Sequence, residues 1–293
     1  LTALVMSITG KTELAIRLPA VVYGTVTIVL VFLLVRKLFD PTMAWVSRLL
    51  LAINPWHVQV SRIAHEASLG VMLQLAGTLS FMVGVRRPVV FLASAVWFGL
   101  SFYAYHGPRL TTPLLIMVLM FMYRKHLRLP GVWPQLVKAG IMLVIMAMPL
   151  MILILTRPLS QNRLAGITIF IRDATLNLSR QEAGRSSNLA AWLFHNPIVT
   201  YVVALTERYF DYFNWRDMFF DSSRLRYFQV SRVGLLYLWD LPFFLTGIYF
   251  LVKKYTGQRR LPLYWLLIAP LPGAITLGTP NPGRSLMMLP MLS

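Results

Sequence analysis

The chain has 293 residues, of which 57% are hydrophobic and only 13% are charged. A soluble globular domain carries about 45–50% apolar and about 25% charged residues, so this composition excludes an ordinary soluble domain and indicates a polytopic membrane protein. The net charge of +18, from 28 Lys and Arg against 10 Asp and Glu, suggests nucleic-acid binding in a soluble chain. Because there are no cysteines, disulfides and thiolate metal sites are excluded.

Apolar blocks separated by charged or Pro/Gly-bearing breaks predict membrane spans, each of which needs about 20 residues to cross the bilayer core. In chain order they cover residues 19–35, 42–55, 68–85, 89–106, 112–123, 139–156, 234–252 and 261–278, with a ninth beginning near Ser285. The fold class is therefore all-α: a polytopic membrane helical bundle of about eight complete transmembrane helices and a truncated ninth.

The same pattern predicts the domain organisation. Residues 1–18 form an outer juxtamembrane segment, 19–156 the main transmembrane module, 157–233 a helical extracytoplasmic domain, and 234–293 the C-terminal transmembrane helices. Residues 157–233 are too polar and too long to be a mere connection. Because the chain starts with Leu1 and its last residue, Ser293, interrupts an apolar run, we expect a fragment truncated at both ends.

The orientation follows from Lys and Arg in the short loops, because cytoplasmic loops carry an excess of both. The loops predicted to be cytoplasmic hold twelve: Arg36, Lys37, Arg86, Arg87, Arg124, Lys125, Arg128, Lys138, Lys253, Lys254, Arg259 and Arg260. The opposite short loops hold one apiece, Arg62, Arg109 and Arg284. The basic residues are thus topology signals, and the prediction excludes nucleic acid as a partner.

The first outer loop, residues 54–69, reads NPWHVQVSRIAHEASL. A short interfacial helix after Pro55 is expected to place Arg62 and Glu66 on one face, with His65 beside them. A guanidinium binds phosphate, and a carboxylate assists a proton or a metal. The alternative from residue types alone is an interfacial ion pair that only caps the bundle.

The second outer loop, residues 101–113, reads SFYAYHGPRLTTP. The Gly-Pro turn is expected to hold Arg109 at the outer membrane edge, with Tyr103, Tyr105 and His106 on the helix before it. Arginine beside tyrosine suits a phosphate or a sugar. The alternative is an aromatic belt with an Arg that extends to the interface.

Two further residues complete the set of candidates. Arg284 follows a rigid Pro-Asn-Pro-Gly turn in the third outer loop, residues 278–290. Asp240 lies inside the seventh predicted span, where an ionisable side chain is expected to face protein or water rather than lipid. No spacing of His, Asp or Glu resembles a metal site.

Several segments together resemble a known family. The series RLPA, then PWHVQVSRIAHEASL, then YAYHGPRL, then the Trp-Asp span at residues 234–252, and finally PNPGRSLMMLP occurs in order and spacing over nearly the whole chain. It resembles the bacterial and archaeal membrane glycosyltransferases of the protein O-mannosyltransferase and lipid A aminoarabinose transferase superfamily. Such enzymes have the GT-C fold.

The resemblance implies an integral-membrane enzyme of the prokaryotic plasma membrane, with its active site on the extracytoplasmic face. It implies inverting transfer of a hexose or pentose from a polyprenyl-phosphate-linked donor to a lipid, glycan or protein acceptor. No covalently bound cofactor is expected, and a divalent metal is left open. The catalytic base of the family lies in a first outer loop upstream of Leu1, so we expect this chain alone to be inactive.

By resemblance, Arg62 and Glu66 match the SRxAxE motif, Arg109 the Arg of the PRL turn, and Arg284 the Arg after the late Pro-rich turn. The three arginines are then assigned to the donor phosphate or the charge of its cavity, and Glu66 to a candidate acid or metal ligand. Further sugar or cavity contacts are expected from Tyr103, Tyr105, His106, His65 and Asp240. Two alternatives stay open, a flippase or transporter of lipid-linked sugar and a non-catalytic membrane scaffold.

Overall fold

The computed structural model describes residues 2–156, 197–222, 233–276, 278 and 280–292. Within them the chain is helical and contains no strand. The α-helices, numbered within this part, are α1 (Thr2–Thr9), α2 (Glu13–Leu38), α3 (Pro41–Ile53), α4 (Pro55–Arg62), α5 (Ala67–Gly84), α6 (Val90–Ala104), α7 (His106–Leu127), α8 (Val132–Thr156), α9 (Pro197–Asp211), α10 (Asp240–Lys253), α11 (Leu261–Ile268) and α12 (Leu271–Ala274). A π-helix (Arg216–Phe220) and two 3-10 helices (Gly257–Arg260 and Leu286–Met291) complete the set.

Side-chain caps define where the first helices begin. Thr12 accepts a hydrogen bond from the Ala15 N–H at the start of α2. Asp40 and Asn54 do the same for α3 and α4, each followed directly by proline. A capping oxygen satisfies an N–H that has no partner inside the helix, and proline at the first position lacks an N–H to satisfy. The predicted first span, residues 19–35, lies within α2, which begins at Glu13 and continues through Pro19.

The bundle is packed most closely between α5 and α6. Gly77 and Gly84 of α5 face the rings of Phe98 and Phe91 of α6, and a Cβ at either glycine would overlap with the facing ring. Small residues at helix contacts let two backbones approach closely in membrane bundles. The buried core continues from this contact into α2 and α7.

The basic clusters of several helices meet at one end of the bundle, which we name the basic end. Lys37 in the last turn of α2 interacts electrostatically with Arg86, which follows α5. Arg259 donates from Nε to the Leu38 carbonyl over 3.1 Å, which joins the α10–α11 connection to α2. The C-terminus of α7 lies here too, because Tyr123 interacts with Arg86. We name the opposite end, where α7 begins at His106, the cavity end, because it holds a cavity lined by Arg109 and Arg284.

Three described helices are long and apolar enough to cross a membrane, α2, α5 and α8. Two shorter apolar helices, α3 and α6, stand beside them. The chain therefore forms an all-α membrane bundle.

The structure differs from the sequence prediction in the last spans. The segment predicted as a single span over residues 261–278 is broken into α11 and α12 by a turn at Ala269 and Pro270. Proline lacks the N–H for an interior helical bond and clashes with the preceding turn. The expected ninth span near Ser285 is, over its described residues, a 3-10 helix whose residues Leu286–Leu289 are each 2% exposed.

The predicted extracytoplasmic domain at residues 157–233 lies mostly outside the described residues. Its described part, residues 197–222, contains α9 and the π-helix. Tyr209 of α9 donates from its hydroxyl to the Leu267 carbonyl of α11 over 2.8 Å. Tyr212 is buried in the core of the bundle. Residues 197–222 therefore pack directly on the C-terminal helices.

Candidate functional site

The joint between α6 and α7 carries the first part of the site. Tyr105 has extended backbone angles, φ −158° and ψ 166°, and separates the two helices. His106, Gly107 and Pro108 then form the first turn of α7, so that Arg109 follows directly at the cavity end. Gly107 lies against the backbone of Arg284, since an added Cβ would contact the Arg284 carbonyl oxygen at 3.5 Å.

The second part is the turn that carries Arg284. The Asn281 side-chain oxygen accepts hydrogen bonds from the backbone N–H groups of Gly283 (3.1 Å) and Arg284 (3.3 Å). An Asn side chain that bonds the backbone two residues on is a recurrent turn device. The Tyr212 hydroxyl in turn accepts from the Asn281 N–H at 3.1 Å. Both contacts fix the position from which the Arg284 side chain extends.

These two parts enclose a cavity of about 360 Å³ at the cavity end of the bundle. Its volume lies within the roughly 300–1,000 Å³ of small-molecule sites. Most of its wall is apolar, and its charged side chains are Arg109 and Arg284. The described lining residues are Tyr105, His106, Gly107, Arg109, Leu110, Ile154, Pro272, Ile275, Thr276 and Arg284.

The two arginines are anchored differently. Arg109 is half-buried and donates from Nε to the Phe102 carbonyl over 3.1 Å. Within the described part of the chain its Nη groups make no further hydrogen bond and no carboxylate pairs with it. Arg284 donates from Nη1 to Thr276 Oγ1 over 2.7 Å and also donates to the Tyr105 hydroxyl. The cavity is therefore cationic, and it suits an anion with several acceptor oxygens.

Glu66 and His65 lie behind Tyr105 rather than in the lining. The His65 ring contacts the Tyr105 ring edge-on with 5.4 Å between centroids, and Glu66 interacts electrostatically with Tyr105. Burial lowers the pKa of His65, while the neighbouring Glu66 opposes that shift. Its Nδ1 accepts from the Ala67 N–H at 3.1 Å, as a neutral imidazole does. Within the described ranges no three His, Asp or Glu side chains come together that fit a metal ion.

Three residues assigned from the sequence lie away from the cavity lining. Arg62 ends α4 with an exposed side chain. Tyr103 donates from its hydroxyl to the Met146 carbonyl of α8 over 2.6 Å and is half exposed. Asp240 begins α10, where its carboxylate accepts from the Tyr237 N–H at 3.0 Å. The expected helical face shared by Arg62 and Glu66 is wrong, because α4 ends at Arg62 and Ala64 has a positive φ of 53°.

The structure places a further arginine, Arg208, next to the cavity residue Thr276. The sequence prediction did not include it. Arg208 of α9 donates from Nη1 to the Thr276 carbonyl over 3.3 Å, and the Thr276 side chain bonds Arg284. The sequence separation of 68 residues gives no local signal for this pairing.

A comparison with protein families finds one family that matches the chain. The family model for dolichyl-phosphate-mannose-protein mannosyltransferases matches residues 1–165, more than half of the 293-residue chain. No curated protein and no solved structure matches the chain. The matched region runs through α8 and includes Glu66 and Arg109. The chain therefore belongs to the dolichyl-phosphate-mannose-protein mannosyltransferase family, a family of membrane glycosyltransferases of the GT-C type.

Proposed function

We infer that the chain acts in transferring a sugar from a polyprenyl-phosphate-linked donor to a lipid, glycan or protein acceptor. The observation that carries this inference is the shared cavity of Arg109 and Arg284 at the end of the bundle opposite the basic end. By the charge of the loops, the cavity end is extracytoplasmic. This proposal keeps the prokaryotic plasma membrane expected from the sequence.

The chemistry follows from where charge develops. The acceptor oxygen attacks the anomeric carbon, the bond from that carbon to the phosphate oxygen breaks, and the polyprenyl phosphate leaves with added negative charge. Cations fixed in a largely apolar cavity stabilise this charge more in the transition state than in the ground state. Arg109 and Arg284 hold the phosphate, while Tyr105 and His106 line the space beside it. The acceptor hydroxyl gives up its proton to a general base as the new bond forms.

The bundle interior argues against transport as the main activity. Gln74 donates from Nε2 to Thr111 Oγ1 (2.8 Å) and Thr112 Oγ1 (2.7 Å), and Ser101 contacts Thr112 at 2.9 Å. These buried polar groups bond one another and carry no charge. A polar pathway for a charged lipid headgroup needs groups that are open to it, as the ionisable residues of transporters are.

Binding of undecaprenyl phosphate to the purified chain tests the proposal. We expect binding by the wild type and a loss of about tenfold or more in affinity for Arg109→Ala and for Arg284→Ala, because each removes a charge-assisted contact. Arg128→Ala is the matched control, since Arg128 follows the opposite end of the same helix α7. Equal affinity in all four proteins would contradict the proposed site.

Transfer itself is measured with a labelled polyprenyl-phosphate sugar in vesicles. A longer protein that contains this chain together with an acidic outer loop is expected to form product. Movement of the labelled lipid between leaflets without product would instead support the flippase. Product formed by the chain alone would overturn the expectation that the base lies upstream.

A further inference from the structure

A second hollow runs along the other side of the bundle, between the α2–α3 pair and α10. Its volume is about 370 Å³. We name it the lateral groove. Its described lining residues are Leu34, Val35, Leu38, Phe39, Thr42, Met43, Val46, Ser47, Leu50, Asp240, Phe243, Phe244, Thr246, Gly247, Ile248, Phe250, Leu251, Tyr255, Pro262, Leu266, Pro290, Met291 and Leu292.

The lateral groove is long enough to hold a hydrocarbon chain of one leaflet. Helix α10 forms one wall of the groove, and its 14 residues extend about 21 Å at about 1.5 Å per residue. Half of a bilayer core is about 15 Å thick. The walls are almost entirely apolar, and α10 contributes one buried residue, Asp240, so its apolar side chains stand open along the groove. Phe243, for example, is 59% exposed.

The charges at the two ends of the lateral groove have opposite signs. Asp240 lies at the N-terminal end of α10. At the other end, Lys254 Nζ lies 5.5 Å from the centre of the Phe250 ring, and the Arg259 guanidinium lies 5.6 Å from that of Tyr255. Both rings line the groove. The two cations are thus placed at its mouth, and the Arg259 bond to the Leu38 carbonyl fixes one of them on the opposite wall.

We propose that the lateral groove binds an anionic phospholipid of the leaflet at the basic end, with one acyl chain along α10 and its phosphate between Lys254 and Arg259. Basic pockets between membrane helices on the cytoplasmic side recognise anionic headgroups. The carboxylate of Asp240 disfavours a phosphate at the other end, so the charges fix the direction of the lipid. This excludes the sugar donor as occupant, because its phosphate belongs at the cavity end. The proposal depends on the membrane setting and not on sugar transfer.

Native mass spectrometry of the delipidated chain in detergent tests the headgroup. We expect phosphatidylglycerol to bind about tenfold more tightly than phosphatidylcholine with the same acyl chains. The double variant Lys254→Gln/Arg259→Gln is expected to abolish this preference. Arg124→Gln/Lys125→Gln, which removes two cations from the same end of the bundle at α7, is expected to keep it.

Two glycines offer a matched pair for the acyl chain. Gly247 in α10 and Gly140 in α8 both have open space around an added Cβ, and only Gly247 of the two lines the groove. We expect Gly247→Trp to weaken both phospholipids about fivefold or more by filling the groove, and Gly140→Trp to bind them like the wild type. Ser47→Trp fills the groove from the α3 wall. It replaces Gly247→Trp in the measurement if that variant is not monodisperse.

Three results would overturn the proposal. The first is unchanged lipid affinity in both Gly247→Trp and Ser47→Trp. The second is an intact phosphatidylglycerol preference in Lys254→Gln/Arg259→Gln. The third is a Gly247→Trp protein that loses undecaprenyl phosphate but retains phosphatidylglycerol, because the groove would then hold the donor's chain.

Discussion

The Tyr212 hydroxyl accepts a hydrogen bond from the backbone N–H of Asn281 over 3.1 Å. Tyr212 follows α9, whereas Asn281 forms the turn that carries Arg284. Burial raises the pKa of Tyr212 to about 12. The hydroxyl is therefore neutral under all ordinary conditions. This contact connects α9 to the orientation of a cavity arginine.

Tyr212→Phe removes the acceptor for the Asn281 N–H while it keeps the ring. An unmatched buried N–H costs about 1–3 kcal/mol, so we expect a lower melting temperature and about two- to fivefold weaker binding of undecaprenyl phosphate through a looser Arg284 turn. Tyr209→Phe is the control, because the Tyr209 hydroxyl bonds the Leu267 carbonyl instead. A Tyr212→Phe protein that loses stability but binds undecaprenyl phosphate like the wild type would show that Tyr212 does not control the position of Arg284.

Arg62, Arg109 and Arg284 are expected to differ in their effect on donor binding. Arg109→Ala and Arg284→Ala each remove a cavity charge and are predicted to lose about ten- to a hundredfold in affinity for undecaprenyl phosphate. Arg62→Ala is predicted to lose less, because the exposed Arg62 lies outside the lining. Isothermal titration of the three variants with undecaprenyl phosphate gives the order of their affinities. A larger loss in Arg62→Ala than in Arg109→Ala would contradict the cavity as the phosphate site.

Gly273→Ala is expected to destabilise the protein by displacing Tyr212. A Cβ at Gly273 of α12 would overlap with the Tyr212 hydroxyl, which is packed in the core. Overpacking of this kind costs about 1–3 kcal/mol, so the melting temperature in detergent falls. Gly140→Ala, at an open helix position, is expected to raise it slightly by restricting the unfolded chain. A neutral Gly273→Ala would show that Tyr212 moves away at little cost.

His57 gives the fold a pH dependence. Burial lowers the pKa of this interfacial imidazole to about 4, and the Gly24 backbone partly opposes the shift. Its Nε2 has no partner among the described residues. Because the unfolded chain binds the proton more readily, stability is complete above about pH 6.5 and is lost as the pH falls toward 4.

We therefore expect the melting temperature to fall between pH 7 and pH 5, and to fall less in His57→Gln. Thermal unfolding in detergent at both pH values measures the difference. An equal fall in both proteins would assign the pH dependence to other groups.

The sequence predicted the all-helical membrane class, because hydropathy is a local signal. Its placement of a turn at Gly107 and Pro108, with Tyr105 and His106 on the preceding helix, is wrong. The break lies at the extended Tyr105, and His106 begins α7. The sequence could not predict that Arg62 and Glu66 separate, since the break between α4 and α5 depends on a left-handed backbone at Ala64, a residue type that rarely adopts it. Nor could it place Arg208 and Tyr212 beside Thr276 and Asn281, because those contacts join segments about 70 residues apart.

The packing of α9 on α11 and α12 has a practical consequence for chimeric proteins. An exchange of the whole 157–233 segment between relatives would carry Arg208 and Tyr212 with it and would replace the supports of the Thr276–Arg284 pair. We expect such a graft to shift the Arg284 side chain and so to weaken the binding of undecaprenyl phosphate at the cavity. A splice junction placed before Pro197 instead leaves α9 with its native neighbours, so that the Thr276–Arg284 pair keeps its contacts with Arg208 and the Asn281 turn keeps its contact with Tyr212.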